Sequence, residues 1–444
     1  MKTRSFLTVL FALFLVFALT ACNAPDGGSG GGEGGGENPP CEHAYFVDEI
    51  VPPSCSAGGY TLYACACGDS YRANETNPVP HTPGDFVTVT PAGATTPGLE
   101  EQRCTVCDEL LDTRELAPTG SVGLEYEWVA SSNTYRVTGI GSCTDTELVI
   151  PSRHEGRPVK QIWKNAFQGN TTITSVYIPS SVISVMESAF YDCTALETVT
   201  LSEGLLGIGA GAFCGCTSLT ELHMPTTVNS LGIVAFMDCK SLTAVTISGA
   251  ISRIPESAFY GCEKLERVAL PASLGAIDAR AFFGCSALEE VRMGELVGTI
   301  GEDAFSNCIR LREIDLSDQL KRIEQFAFYG CEELADVRFG ESLEFIGEAA
   351  FSGCEKLGDI ILPRTLQTID NGAFRDCNAI TRVTLNGKNL SMIGRYAFNS
   401  CGSLKEITYG GTKANWEAIE KELSWMPLGI LTIHCTNGDI RIAY

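Results

Sequence analysis

A chain of 444 residues with 54 acidic and 31 basic side chains carries a formal charge of −23. That balance makes nucleic acid and anionic lipid surfaces poor partners on electrostatic grounds, and solubility is its plainest use. There is no Walker loop and no HExxH, and neither GxSxG nor GxGxxG stands between a strand and a helix, so the common enzyme classes have no support.

The chain opens with Lys2 and Arg4 ahead of an apolar run from Phe6 to Leu19. The run is short for a membrane span and right for a secretory signal. Leu19-Thr-Ala-Cys22 resembles a bacterial lipobox, which implies a lipoprotein signal peptide over 1–21, cleavage before Cys22 and lipid on its thiol. The alternative is a signal cut nearby that leaves Cys22 an ordinary thiol. From Gly27 to Gly36 the chain is glycine apart from Ser29 and Glu33. Residues 22–40 thus form a flexible tether able to hold a domain away from a membrane surface.

Residues 41–117 are polar and proline-rich, with Cys41, His43, Cys55, Cys65, Cys67, His81, Cys104 and Cys107 scattered through them. A segment with so little apolar material needs a staple. A faint duplication at an offset of 39 aligns Pro52, Gly59 and Cys65 with Pro91, Gly98 and Cys104, while Cys55 meets Ala94. Cys65, Cys67, Cys104 and Cys107 have the spacing to give four thiolates to one tetrahedral zinc, with His43 and His81 as further candidates. Disulfides among the six cysteines are the rival, favoured by an exported location, and reduced thiols are the third reading. A structural zinc in 41–117 is the one cofactor the chain suggests.

Residues 118–165 read as an N-terminal cap, 166–408 as repeats and 409–444 as a C-terminal cap. Within the repeats Ala-Phe recurs every 23 residues from Phe167 to Phe374, with a last copy one residue late at Phe398. A unit this short cannot bury an apolar face alone, so eleven copies stack and share one core, which makes a solenoid. Three positions after each Phe stands a cysteine, from Cys193 to Cys401, replaced in the first copy by Asn170. These are expected to be buried, unpaired thiols filling a narrow interior. A redox ladder or a metal wire would need exposed thiolates in electropositive surroundings. Glu197-Thr-Val-Thr-Leu201 alternates apolar and polar, the period of a strand with one buried face. Each repeat is then one strand plus a short irregular or extended return leg, with equivalent strands parallel.

The string Ile277-Asp-Ala-Arg-Ala-Phe282-Phe-Gly-Cys285-Ser-Ala-Leu288-Glu-Glu-Val291-Arg-Met293 resembles the unit of the BspA-like leucine-rich repeat surface proteins of bacteria. The resemblance covers roughly 120–444 and includes the flanks Tyr135–Pro151 and Tyr409–Gly438. In the exit flank Trp416, Ile419, Leu423, Trp425 and Leu428 recur at roughly helical spacing. The resemblance implies a cell-surface, lipid-anchored protein that binds an extracellular protein or glycan, as an adhesin or a host or matrix interaction factor. The alternative is a structural envelope lipoprotein with no specific ligand, and an enzyme is remote.

The outward strand positions vary from repeat to repeat while the core columns do not. Tyr177, Thr200, His223, Arg292, Asp315 and Arg338 from the central column, with Arg267, Asp336 and Asp359 from the flanking one, are the candidate ligand-binding residues. Arg292, Asp315 and Arg338 are expected to be adjacent in a charge ladder. Cross-strand pairing for solubility would produce the same pattern.

Overall fold

Alternating apolar residues in each repeat form a short strand, and the 23-residue period sets how those strands meet. In the computed structural model, which describes residues 44–55, 57–66, 68–93, 98–116 and 119–443, Ser175 pairs with Thr198, Val176 with Val199, and Val245 with Val268. Cys22, the tether, Cys41, His43 and Cys67 lie outside the described residues. Because pairing partners are one period apart, a residue lies beside its own counterpart, and identical side chains stack in columns. The fold is the expected leucine-rich repeat solenoid of parallel strands, and the return legs are ordered as well. Two-residue strands such as Ser184–Val185, Gly207–Ile208 and Ser230–Leu231 pair in parallel to make a second sheet. The extra residue of the last repeat falls between Leu385 and Met392, since Leu362 pairs with Leu385 but Thr368 with Met392.

Three columns make the core. The Ala-Phe phenylalanines are buried, and their rings stack with centroids from 5.0 to 5.6 Å apart and planes within 18°. The aliphatic column from Ile173 to Leu404 is buried in every repeat. Each thiol of the cysteine column donates to the carbonyl oxygen of a phenylalanine in the preceding repeat, as Cys193 does to Phe167 at 3.1 Å and Cys262 to Phe236 at 3.3 Å. The thiols are free, as expected, but they are also inter-repeat hydrogen-bond donors. Asn170 uses its place in the column differently, with Oδ1 accepting from the backbone N–H groups of Thr172 and Ile173 at 2.9 Å.

Two left-handed corners flank every Ala-Phe pair. One falls two residues before Phe, for example at Ser188, Arg280 and Asp303; the other falls two residues after it, at Asp192, Asp238, Gly284 and Asn307. The second corner is occupied by Gly, Asp, Asn or Ser, mostly residues that bear positive φ at least cost.

The return-leg sheet stops at Ser230–Leu231 and restarts at Arg253–Ile254. In most repeats the residue four before Phe donates its backbone N–H to the preceding return leg: Gly232 to Ile208, Asp278 to Ile254, Gly301 to Ile277. In the interrupted repeat that residue is Pro255, which has no N–H to give.

Both ends of the repeats are closed. At the start, the antiparallel hairpin Glu125–Val129 and Thr134–Gly139 feeds the return-leg sheet, with the Arg136 guanidinium 3.4 Å above the Trp163 ring. At the end, the helix Lys413–Ala418 is capped by Thr412 and Asn415 and buries Trp416. The helical spacing read in the exit flank holds for these six residues only. Beyond Ile419 the chain pairs Glu420 and Lys421 with the last return leg, and edge pairing leaves Leu423 and Leu428 exposed. The hairpin Ile430–Cys435 and Gly438–Ala443 then ends the strand sheet.

Contacts divide the chain into two compact units: residues through Thr88 with Glu100–Arg114, and Val89–Leu99 with the rest. Ahead of the repeats, β1 (Tyr45–Val51), β2 (Tyr60–Cys65) and β3 (Ser70–Ala73) form one three-stranded sheet. A second consists of β4 (Pro83–Thr90), β5 (Gly98–Cys104) and β6 (Leu110–Leu116). The faint duplication is therefore a repeated sheet, with Cys65 and Cys104 ending equivalent strands.

Two outcomes test this account. Gly284 has φ of +69° and a Cβ there would meet open space, so Gly284→Ala isolates backbone strain. It should lower the unfolding free energy by about 1 kcal/mol, and an unchanged denaturation midpoint would refute the corner assignment. Burial pushes the column thiols up, to about 12 for Cys193, Cys331 and Cys401, from an ordinary 9.0. A protonated column therefore stabilises the fold fully below pH 9.0, and that contribution is lost as pH rises from there towards 12. In reducing buffer the melting temperature should fall steeply with pH above 9.0, and a flat alkaline profile would contradict the thiol packing.

Candidate functional site

Outward strand side chains are free of the packing demands that fix the columns, and two interruptions of the strand sheet shape what they can do. Ladder pairing is lost between Glu290–Arg292 and Glu313–Asp315, and again between Asp336–Arg338 and Ile360–Leu362. At the first interruption a cleft of about 400 Å³ opens, lined by Glu290, Arg292, Glu313, Asp315, Asp336 and Arg338. A hollow of about 540 Å³ adjoins it through Glu290 and Glu313 and includes Arg267 and Arg312. Another of about 520 Å³ adjoins it through Asp315, Asp336 and Arg338 and reaches Asp359 and Ile361. The three form one trough along the strand face.

Its electrostatics are lopsided. Nine carboxylates line the trough against four arginines, and the arginines are engaged by the acids around them. Arg292 pairs with Glu290 of its own strand at 2.7 Å, and Arg338 lies 3.9 Å from Asp315 and 3.7 Å from Asp318. The charge ladder thus joins Asp315 to Arg338, whereas Arg292 turns to Glu290. Asp359 is fastened to the next repeat, accepting from the Thr381 hydroxyl at 2.8 Å and from the backbone N–H of Arg382 at 2.8 Å. Partial burial opposes its ionisation, but these hydrogen bonds outweigh it and hold the carboxyl below the usual range.

Of the nine strand-face candidates, Arg267, Arg292, Asp315, Asp336, Arg338 and Asp359 line the trough. Tyr177, Thr200 and His223 stand on earlier strands, and His223 faces Glu221 of its own strand at 3.7 Å. Sequence reasoning passed over Asp318 and Glu341 because they follow the strands, outside the alternating positions. Ile361 is the outward residue of its strand, and its 62% exposure puts an apolar side chain at the trough's end. Two other histidines have local partners: His154 stacks on Tyr126 with centroids 3.8 Å apart, and His434 contacts Asp439 at 3.0 Å.

A second cluster draws on a wider span of the chain than the set Cys65, Cys67, Cys104 and Cys107. Cys104 and Cys107 gather with Cys55 and His81, their ligand atoms all within 4.8 Å of one another. Cys65, the last residue of β2, is not in this group, and Cys67 lies outside the described residues. The signal for Cys55 was its failure to match the duplication. Burial opposes ionisation of Cys104, yet the backbone N–H groups of Val106 and Cys107 and the His81 ring hold it down to about 5. Burial, with Cys104 and Cys107 beside it, pushes the Cys55 thiol up to about 11.

Among the described residues no helix is long and apolar enough to cross a membrane. A leucine-rich repeat protein from Bacteroides ovatus is 24% identical over 69% of this chain and 97% of its own, with a TM-score of 0.38. A leucine-rich cell surface protein from Faecalibacterium prausnitzii is 25% identical over 67% of this chain and 96% of its own, at 0.37. The T. pallidum leucine-rich repeat protein is 28% identical over 43% of this chain and 88% of its own, at 0.38. No curated protein matches the chain. The family model described as the BspA type leucine rich repeat region matches in six copies over residues 160–289 and 298–418, more than half of the sequence, and the chain belongs to that family.

Proposed function

We propose that this protein is a lipid-anchored, surface-exposed binding protein that holds an extracellular protein or glycan in the acidic trough of its strand face. The observation that carries this reading is the trough itself, three adjoining hollows beside lapses in ladder pairing, on a face where side chains vary between repeats. Its excess of carboxylates favours a ligand that presents cationic groups, such as a Lys- or Arg-rich protein segment, and makes binding weaken with salt. Family membership supports a binding role, since leucine-rich repeat surfaces commonly serve one and the family is typically non-enzymatic. Anchoring rests on Leu19-Thr-Ala-Cys22 and the glycine tether after it, because two or three acyl chains on Cys22 suffice for lasting attachment where one alone binds marginally.

Captured extracellular proteins and a glycan array identify the ligand. Replacing Glu313, Asp315 and Asp336 together with alanine should then weaken binding at least ~10-fold while the melting temperature stays nearly unchanged, since each is an exposed charge. The control is Glu302, Gln325 and Glu348 on the return-leg side. Equal loss from both triples, or loss from the control alone, places the site elsewhere. Failure to capture any ligand leaves the envelope-spacer reading in its place.

Cys22→Ala should abolish incorporation of a palmitate analogue. Equal labelling of variant and parent would overturn the lipoprotein assignment.

A further inference from the structure

The unit ahead of the repeats has almost no apolar core. Among the described residues between 44 and 116, the buried apolar side chains are Cys55 and Cys104, whereas Phe46, Ile50 and Val87 are more than half exposed. Two small sheets cannot be held by so little burial, and chains in this position use disulfides or a metal.

The geometry of the cysteines favours a metal over a disulfide. Cys55 and Cys104 Sγ lie 3.7 Å apart, and Cys107 Sγ lies 3.4 Å from His81 Nδ1. A disulfide needs sulfurs about 2.05 Å apart. The edges of a zinc tetrahedron with S and N ligands at about 2.3 and 2.0 Å are about 3.8 Å for S–S and about 3.5 Å for S–N. Both observed separations fall on those edges. The four ligand atoms also come from three separate segments: the β1–β2 loop, the residue pair before β4, and the β5–β6 turn.

The surroundings fit the same role. In the Cys104-Thr-Val-Cys107 turn, the N–H of Asp108 donates to the Cys104 carbonyl at 3.0 Å, and the N–H of Val106 points at Cys104 Sγ from 3.5 Å. On the far side of the imidazole, His81 Nε2 faces the Glu109 carboxylate at 3.5 Å. A carboxylate behind a ligating histidine fixes the ring and directs its other nitrogen to the metal. Cys107 is exposed, which leaves the cluster open to an incoming ion.

We propose that Cys55, His81, Cys104 and Cys107 form a closed, tetrahedral zinc centre that staples the two small sheets of this unit. Three thiolates and one neutral imidazole fill all four positions, so the metal is structural and has no site for a substrate. Each thiol gives its proton to solvent as zinc binds, and binding is therefore lost in acid. Glu109 is a positioning residue, acting through His81.

The test uses the full chain and zinc alone. Elemental analysis should find zinc in the parent, and Cys104→Ser and His81→Asn should each lower it by one equivalent, while Cys435→Ser leaves it unchanged. Glu109→Gln should keep the stoichiometry and weaken zinc affinity about 10-fold. Should the ligand variants fail to fold, cobalt(II) loaded into the parent should give the intense visible bands of a tetrahedral site and a thiolate charge-transfer band. Zinc content unaffected by the variants, a cobalt spectrum of octahedral type, or an intact mass short by two hydrogens with Cys55 linked to Cys104 would each overturn the proposal.

Discussion

Every residue of the solenoid faces its own counterpart one period away, and most of the architecture follows from that condition. A side chain that packs well against its own copy can be repeated without limit, so the Phe and Ala columns hold one residue type throughout and the Cys and Leu columns depart from theirs only at Asn170, Ile173 and Ile380. Stacked phenylalanines at 5.0 to 5.6 Å share faces that no single repeat could cover. The cysteine thiols add a polar link inside this core, each satisfying a carbonyl of the preceding repeat where an unpaired donor would be costly. Outward positions escape the condition, and that is where the charges differ.

Much of this was legible from the residues. The period named the fold, the Phe, Cys and Leu columns are buried as the spacing required, and strand alternation identified the outward side chains. Less legible was everything that depends on the repeats being unequal. Where the ladder lapses beside Glu290–Arg292, outward residues that pattern alone ranks equally fall into a trough or outside it. Arg292 turning to Glu290 in place of Asp315 is a rotamer choice that a column of letters does not carry.

The Cys/His unit was harder still, because it has no period to read. Spacing pointed to Cys65 and Cys67 as partners of Cys104 and Cys107, since pairs close in sequence are the usual ligand signature. The fold instead brings Cys55 from a loop and His81 from a connection, separated from the turn by 49 and 23 residues or more. Their common neighbourhood is a product of two sheets meeting, which local spacing does not encode. His81 has Glu109 behind it for the same reason: a turn folds back on the segment before β4.

Pro255 has a consequence for mechanics. In a linear stack, each repeat is coupled chiefly to its neighbours, and resistance to being pulled apart is set by the weakest junction rather than by the average. At the Leu231–Arg253 junction the return-leg ladder is absent, and the gap is spanned by the strand ladder, with Leu222 beside Val245, by corner bonds such as the Phe236 N–H to the Ala258 carbonyl, and by the Phe236–Phe259 stack. Tension reaches that junction with one of its two ladders missing, between a block led by the N-terminal hairpin and a longer block ending at the helix Lys413–Ala418. A single imino acid thus sets one of the places where the filament resists pulling less evenly than its period suggests.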